Sequence, residues 1–243
     1  VTPVKLIPLI DLTCLDEQAT ESTIEQLCAK AITPFGPVAA VCIYPQFISL
    51  ARQGLAGSSV AIATVVNFPH GSDALKTVLT DIENAISSGA TEIDVVIPYH
   101  FYLSQERTKV QTFLNACRKT CSVKLKTILE TGALHSAELI AIASADAIDA
   151  GVDFIKTSTG KIPTGATPDA AAIMFASIKL VKNSSTGFKA SGGIRHINQA
   201  MHYLELATTI LGENWISPET FRFGASSLLD EITNPSHAYP QLS

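Results

Sequence analysis

Short apolar runs along this chain alternate with longer stretches in which hydrophobic residues recur every three to four positions. The runs cover 38–44, 60–66, 92–98, 124–130, 153–159, 187–191 and 221–225, and a weaker one at Trp215-Ile216 brings them to eight. Between them, Leu75, Val78, Leu79, Ile82 and Ile86 fall on one helical face, in a helix opened by Ser72-Asp73 and closed by Gly89. A second helix runs from a Ser136 cap through Leu139, Ile140, Ala143 and Ile148 to Gly151. A third opens at Thr167-Pro168-Asp169, where the threonine caps and the proline takes the first helical position. Such alternation predicts parallel strands joined by helices. An open doubly wound sheet is the competing arrangement. No G-x-G-x-x-G follows the first run, however, and eight strands suit closure better. The predicted fold class is therefore α/β: a single (β/α)8 TIM barrel over residues 1–243, with a short N-terminal helical extension.

Composition narrows the function without naming it. Of the 243 residues, 47% are hydrophobic and 16% charged, enough to bury a large core and unlike a disordered chain. No apolar run approaches the roughly 18 residues a membrane span needs, and Val1-Thr2-Pro3-Val4-Lys5 lacks signal-peptide design, so no membrane role and a cytoplasmic location are expected. A net charge of −5 without a Lys/Arg cluster argues against nucleic-acid partners. Five cysteines, an odd number in a long chain, read as reduced thiols. Cys117 and Cys121 share helical spacing but have no His or second Cys pair beside them, which favours packing over metal binding.

An internal similarity brings the chemistry into view. Ala85-Ile86-x-x-Gly89-x-x-x-Ile93-Asp94 overlays Ala147-Ile148-x-x-Gly151-x-x-x-Ile155-Lys156. If these are the third and fifth strands, both odd, their inward side chains share layers of the barrel, and Asp94 faces Lys156. Ile93, Val95, Ile97 and Ile155 then point at the helices.

Lysine is costly inside an apolar strand unless it is paired, neutralised or useful. Three runs contain one: Leu125-Lys126-Thr127, Ile155-Lys156-Thr157 and Phe188-Lys189-Ala190. Lys156 and Lys189 belong to adjacent strands, and two amines held close in a dry site cannot both stay protonated comfortably. A neutral amine near pH 7 is the nucleophile a carbonyl substrate requires. The competing reading is a satisfied ion network in which the lysines pair with Asp94, Asp153 or Glu130. Three lysines on consecutive strands opposite Asp94 favour the catalytic one.

Two glycine turns add an anion site. Ser191-Gly192-Gly193 and Gly224-Ala225-Ser226-Ser227 lie at the late strand ends, where barrels commonly bind phosphate with backbone N–H groups. Thr157-Ser158-Thr159-Gly160-Lys161 only superficially resembles a Walker A ending: the first glycine and its spacer are missing, and Ile162 follows the lysine. Cys42 either faces the lysines or is simply a small buried residue. His70 sits at a strand end with no partner that would assign it.

Taken together, these segments resemble the deoxyribose-phosphate aldolase family. The likeness runs from Asp11-Leu12-Thr13 and Val41-Cys42-Ile43-Tyr44-Pro45 through Asn67-Phe68-Pro69-His70-Gly71, Glu92-Ile93-Asp94 and Glu130-Thr131-Gly132. It continues through Phe154-Ile155-Lys156-Thr157-Ser158-Thr159-Gly160-Lys161, Gly187-Phe188-Lys189, Gly192-Gly193-Ile194-Arg195 and Arg222-Phe223-Gly224-Ala225-Ser226-Ser227. The resemblance implies reversible cleavage of 2-deoxy-D-ribose 5-phosphate to D-glyceraldehyde 3-phosphate and acetaldehyde, with no metal and no cofactor. It implies that Lys156 forms the Schiff base, Lys189 lowers its pKa and Asp94 relays protons. Lys126 becomes an accessory member, Cys42 and Thr159 line the substrate, and Gly160, Gly192, Gly193, Gly224, Ser226 and Ser227 hold the phosphate. A homodimer is expected by the same analogy.

Two departures stand out. Ala190-Ser191 replaces the family's Pro-Ala, which loosens that turn and adds a hydroxyl. The terminal tyrosine of some members is here Tyr239, followed by Pro240-Gln241-Leu242-Ser243. The rival functions are another Schiff-base phosphosugar aldolase or transaldolase, and a non-catalytic barrel that uses its lysines as anion ligands.

Overall fold

A computed structural model describes residues 2–181 and 185–234. Eight parallel strands close into a barrel: β1 Ile10–Cys14, β2 Ala40–Ile43, β3 Ala61–Val66, β4 Glu92–Val96, β5 Lys124–Ile128, β6 Phe154–Lys156, β7 Gly187–Ser191 and β8 Phe221–Ala225. Each neighbours the next in sequence, and β1 pairs with both β2 and β8 to complete the ring. One main helix follows each strand in turn, α1 Glu21–Lys30, α2 Ile48–Gly54, α3 Leu75–Ser88, α4 Arg107–Thr120, α5 Ala137–Asp149, α6 Pro168–Leu180, α7 Ile197–Leu211 and α8 Leu228–Thr233, with single helical turns at His100–Leu103 and Thr131–Leu134 ahead of α4 and α5. This is the (β/α)8 barrel that the alternation predicts, entered through a 3-10 helix over Pro3–Leu9. No helix among the described residues is long and apolar enough to cross a membrane.

The eighth strand is not the one expected at Trp215-Ile216. Trp215 ends a 3-10 turn, Glu213–Trp215, and is not in a strand. Its ring instead packs edge-on against Phe175 of α6 and Phe221 of β8. The missing strand is β1, short, preceded by Pro8 and interrupted by a charge at Asp11, so its apolar pattern is faint. Asp94 and Lys156 accordingly lie on the fourth and sixth strands rather than the third and fifth. Both strands are even, so their inward side chains still share layers of the barrel. Ile93, Val95, Ile97 and Ile155 do join the cluster between barrel and helices, which leaves Asp94 and Lys156 to the interior.

Local signals explain most helix ends. The Leu139 N–H donates to Ser136 Oγ at 3.1 Å, and the Ala170 N–H donates to Thr167 Oγ1 at 3.2 Å with Pro168 at the first position. Thr167→Ala should cost about 1 kcal/mol, a melting temperature lower by roughly 2–4 °C for a chain of this size, measurable by calorimetry. Helix α3 ends as expected on Gly89 in the left-handed region (φ 112°), but it opens at Ala74, without a side-chain cap. Asp73 is drawn elsewhere: its N–H donates to Asn67 Oδ1. Cys117 and Cys121 are buried at the α4 end, and among the described residues no group of three His, Cys, Asp or Glu side chains is placed to hold a metal.

Candidate active site

The barrel interior is divided between two kinds of residue. Strands β2 and β3 contribute the small apolar cluster Ala40, Cys42, Ala63 and Val65. The other strands contribute charge: Asp11 from β1, Glu92 and Asp94 from β4, Lys126 from β5, Lys156 from β6, Lys189 from β7 and Arg222 from β8, none more than 3% exposed. Small residues on one wall leave room for long side chains from the other.

Asp94 is the hub. Its Oδ2 accepts from Lys156 Nζ and from Lys189 Nζ, both at 2.8 Å, and its Oδ1 accepts from Lys126 Nζ at 2.8 Å. Lys156 and Lys189 are also paired in register across β6 and β7. Behind them, Lys189 Nζ donates to Asp11 Oδ2 at 2.5 Å and Arg222 Nη1 to Asp11 Oδ1 at 2.6 Å. Lys126 Nζ lies 2.5 Å from Glu92 Oε2, whose other oxygen is 3.3 Å from Arg222 Nη2.

These contacts distinguish the lysines. Among the described residues, Lys126 touches the carboxylates of Asp94, Glu92 and Asp11, Lys189 those of Asp11 and Asp94, and Lys156 that of Asp94 alone. Burial would lower all three amines, but for Lys126 the attraction of Asp94, Glu92 and Asp11 wins and holds its pKa well above the usual range. Lys189 is likewise held up against burial by Asp11 and Asp94. Lys156 goes the other way: burial, reinforced by the Lys189 charge, outweighs Asp94 and pushes its pKa down. Asp94, which burial alone would raise, is pulled well below the carboxylate range by its lysines. Counting charges gives the same answer. Four cations (Lys126, Lys156, Lys189, Arg222) face three carboxylates (Asp11, Glu92, Asp94), and a neutral Lys156 makes the set balance. The residues therefore assemble a buried carboxylate, a retained ammonium and an amine that readily gives up its proton.

Above this network opens a cavity of about 560 Å³, lined by Thr13, Leu15, Thr159, Gly160, Lys161, Ser191, Gly192, Gly193, Arg195, Gly224 and Ser226 among others. Gly160, Gly192 and Gly193 all have left-handed backbones (φ 76°, 89° and 87°). A Cβ on Gly192 would sit 3.0 Å from Gly165 Cα and 3.4 Å from Gly160 Cα, so three chain segments meet here backbone to backbone. A side chain on Gly224 would be tight as well: Lys189 Cε and Ser191 Cβ lie 3.1 Å from the position of a Cβ and would have to give by a few tenths of an ångström.

Sequence-based expectations meet this geometry unevenly. Asp94, Lys126, Lys156 and Lys189 come together, and Gly160, Gly192, Gly193, Gly224 and Ser226 share the cavity. Cys42 is buried inside the barrel, its thiol pKa raised chiefly by burial. Ser227 is the cap residue just before α8 and is not among the cavity's lining residues. The Thr159 hydroxyl is taken by Glu130, to which it donates at 2.5 Å, so the side chain braces the turn. Among the described residues Glu130 forms no ion pair with a lysine, and Asp153 pairs with Arg118 outside the barrel. The extra hydroxyl of Ser191 donates to the Ser158 carbonyl at 2.9 Å, tying the ends of β6 and β7 together. His70 is exposed, and Tyr239 lies outside the described residues. Asp11, Glu92, Arg222 and Gly165 had no role in the sequence reading. The signal for the three charged ones is the one that exposed the lysines: an ionic residue within a buried strand, as in Phe221-Arg222-Phe223.

A barrel with an amine-bearing polar core beneath a glycine-lined cavity is the architecture of an aldolase, and comparison with known proteins agrees. The chain belongs to the DeoC/LacD aldolase family, whose profile matches residues 5–232. It is similar to a Coccidioides immitis protein provisionally named deoxyribose-phosphate aldolase, at 31% identity and a TM-score of 0.85, over 95% of this chain and 87% of that one. The aldolase QR15 is 29% identical over 93% and 95% of the two chains, with a TM-score of 0.80. The tetrameric deoxyribose phosphate aldolase of Aeropyrum pernix is 26% identical over 96% and 93%, with a TM-score of 0.73.

Proposed function

We propose that this aldolase reversibly cleaves 2-deoxy-D-ribose 5-phosphate to D-glyceraldehyde 3-phosphate and acetaldehyde through a Schiff base on Lys156. The observation that carries the reading is the shared Asp94 oxygen, which holds a singly paired Lys156 against a doubly paired Lys189. Lys189 keeps its proton and Lys156 supplies the neutral amine.

In this mechanism Lys156 adds to the C1 aldehyde of the open-chain sugar, and loss of water gives an iminium. The C3 hydroxyl loses its proton to Asp94 through a water, the C2–C3 bond breaks, and its electron pair moves to C2 to form the enamine. Glyceraldehyde 3-phosphate leaves with the new C3 carbonyl. Protonation at C2 and hydrolysis then release acetaldehyde and return the amine. The phosphate is held by the left-handed glycines at the cavity wall, with Lys161 and Arg195 supplying positive charge beside them.

The test is to follow release of both aldehydes from 2-deoxyribose 5-phosphate and from unphosphorylated 2-deoxyribose. The phosphorylated sugar should be strongly preferred. Gly165→Ala would drive a Cβ into the Gly192 carbonyl and displace the turn. It should raise KM for the phosphate ester by roughly 10-fold while leaving unphosphorylated 2-deoxyribose largely unaffected. Equal turnover of both sugars would contradict the phosphate site. Turnover of a different phosphosugar in preference would place the enzyme elsewhere among the Schiff-base aldolases.

A further inference from the structure

The ionic side chains of the barrel do not end at the reacting pair. From Asp94 one arm descends through Lys126 Nζ (2.8 Å) to Glu92 Oε2 (2.5 Å), and a second through Lys189 Nζ (2.8 Å) and Asp11 Oδ2 (2.5 Å) to Arg222 Nη1 (2.6 Å from Asp11 Oδ1). The arms are bridged where Lys126 lies 3.4 Å from Asp11, and they close where Arg222 Nη2 meets Glu92 Oε1 at 3.3 Å. Glu92 opens β4 and Arg222 is the second residue of β8, so this closure lies at the N-terminal mouth, opposite the cavity. Both also line a depression of about 260 Å³ there. A ring of this kind is costly to desolvate and is weak evidence for stability, so its charge pattern asks for another use.

We propose that Glu92 and Arg222 are positioning residues for the reaction: from the far mouth of the barrel they set, through the two arms, how readily Lys156 becomes a neutral amine. The inference rests on Lys156 being the Schiff-base residue. Charges in a dry interior act over several ångströms, and neither end residue can touch substrate. Removing the Glu92 charge leaves the interior one unit more positive, which disfavours the Lys156 ammonium. Removing the Arg222 charge does the reverse.

The groups that share this field can be named. Around Lys156 they are Asp11 on β1, Cys42 on β2, Glu92 and Asp94 on β4, Lys126 on β5, Lys189 on β7 and Arg222 on β8; β3 presents Ala63 and Val65. Glu130 stands at the β5 exit, and Asp16, Lys161 and Arg195 line the upper cavity. At the lower mouth Lys124 is 3.9 Å from Glu92 but 2.5 Å from Glu219, at the solvent edge. Lys126 keeps Asp94 and Asp11 when Glu92 is gone, and Asp11 keeps Lys189 and Lys126 when Arg222 is gone, so each end can be changed without stripping its neighbour of partners.

The experiment measures the pH dependence of reductive trapping on the Lys156 peptide with acetaldehyde and cyanoborohydride, in wild type, Glu92→Gln, Arg222→Met and the double variant. Acetaldehyde is uncharged, so the acidic limb reports the protein and not a phosphate. The limb should move down by about one pH unit in Glu92→Gln, up by about one in Arg222→Met, and return close to wild type in the double variant. Limbs that stay put, or that move the same way in both single variants, overturn the proposal, since mere structural damage has no reason to follow the sign of the charge. Glu92→Gln, nearly isosteric, suffices alone if Arg222→Met does not fold: an unmoved limb is again fatal. An absence of any adduct on wild-type Lys156 removes instead the imine on which the inference rests.

Discussion

Lys156→Met should reduce 2-deoxyribose 5-phosphate cleavage by about 10⁴-fold or more while leaving the protein folded. The size follows from what the amine supplies. Without an iminium the electrons of the breaking carbon–carbon bond have no sink, and no neighbour can take over, since Lys189 and Lys126 are each held protonated by two or more carboxylates. The retained fold follows from the charge count. Removing one cation from four leaves three against three carboxylates, and methionine refills most of the vacated volume, so the melting temperature should change by only a few degrees. Steady-state assays and calorimetry on the same preparation check both halves. A variant that has lost activity by unfolding would show it in the melt.

Asp94→Asn should show the opposite division, costing stability as well as rate. Three lysine amines sit within 2.8 Å of this carboxylate, and a neutral amide leaves the charges of Lys126, Lys189 and Arg222 facing Asp11 and Glu92. Breaking a buried ion pair by removing one partner commonly costs about 3–5 kcal/mol, which for a chain of this length lowers the melting temperature on the order of 10 °C. The chemical consequence is selective. A more positive interior favours the neutral form of Lys156, so imine formation with acetaldehyde should survive and extend to lower pH. Cleavage, which needs a proton acceptor at the C3 hydroxyl, should fall by about 10²-fold or more. Trapping that persists while kcat collapses separates proton relay from nucleophile. Loss of both together would place Asp94 in holding Lys156 rather than in moving protons.

The barrel was legible because seven of its eight strands carry dense apolar runs, and because Gly89, Ser136 and Thr167-Pro168 mark helix ends through local chemistry that needs no tertiary context. Strand β1 was not, since its five residues include a buried aspartate whose justification, Lys189 and Arg222, lies some two hundred residues later. The same separation explains why the lysines were visible as anomalies yet could not be ranked from sequence. Their difference lies in the number of carboxylates around each, a property of the closed barrel. Parity alone anticipated that Asp94 and Lys156 meet, and it did so despite the miscounted strands. Thr159 lines the cavity as expected, but the partner of its hydroxyl, Glu130, is a contact no spacing rule predicts.

An imine on Lys156 can be caught by incubating the protein with 2-deoxyribose 5-phosphate and borohydride and locating the added mass by peptide mapping. One stable adduct is expected, on Lys156, and none in Lys156→Met. An adduct on Lys189 would exchange the two lysines, and no adduct from an enzyme that still cleaves the sugar would contradict the imine mechanism.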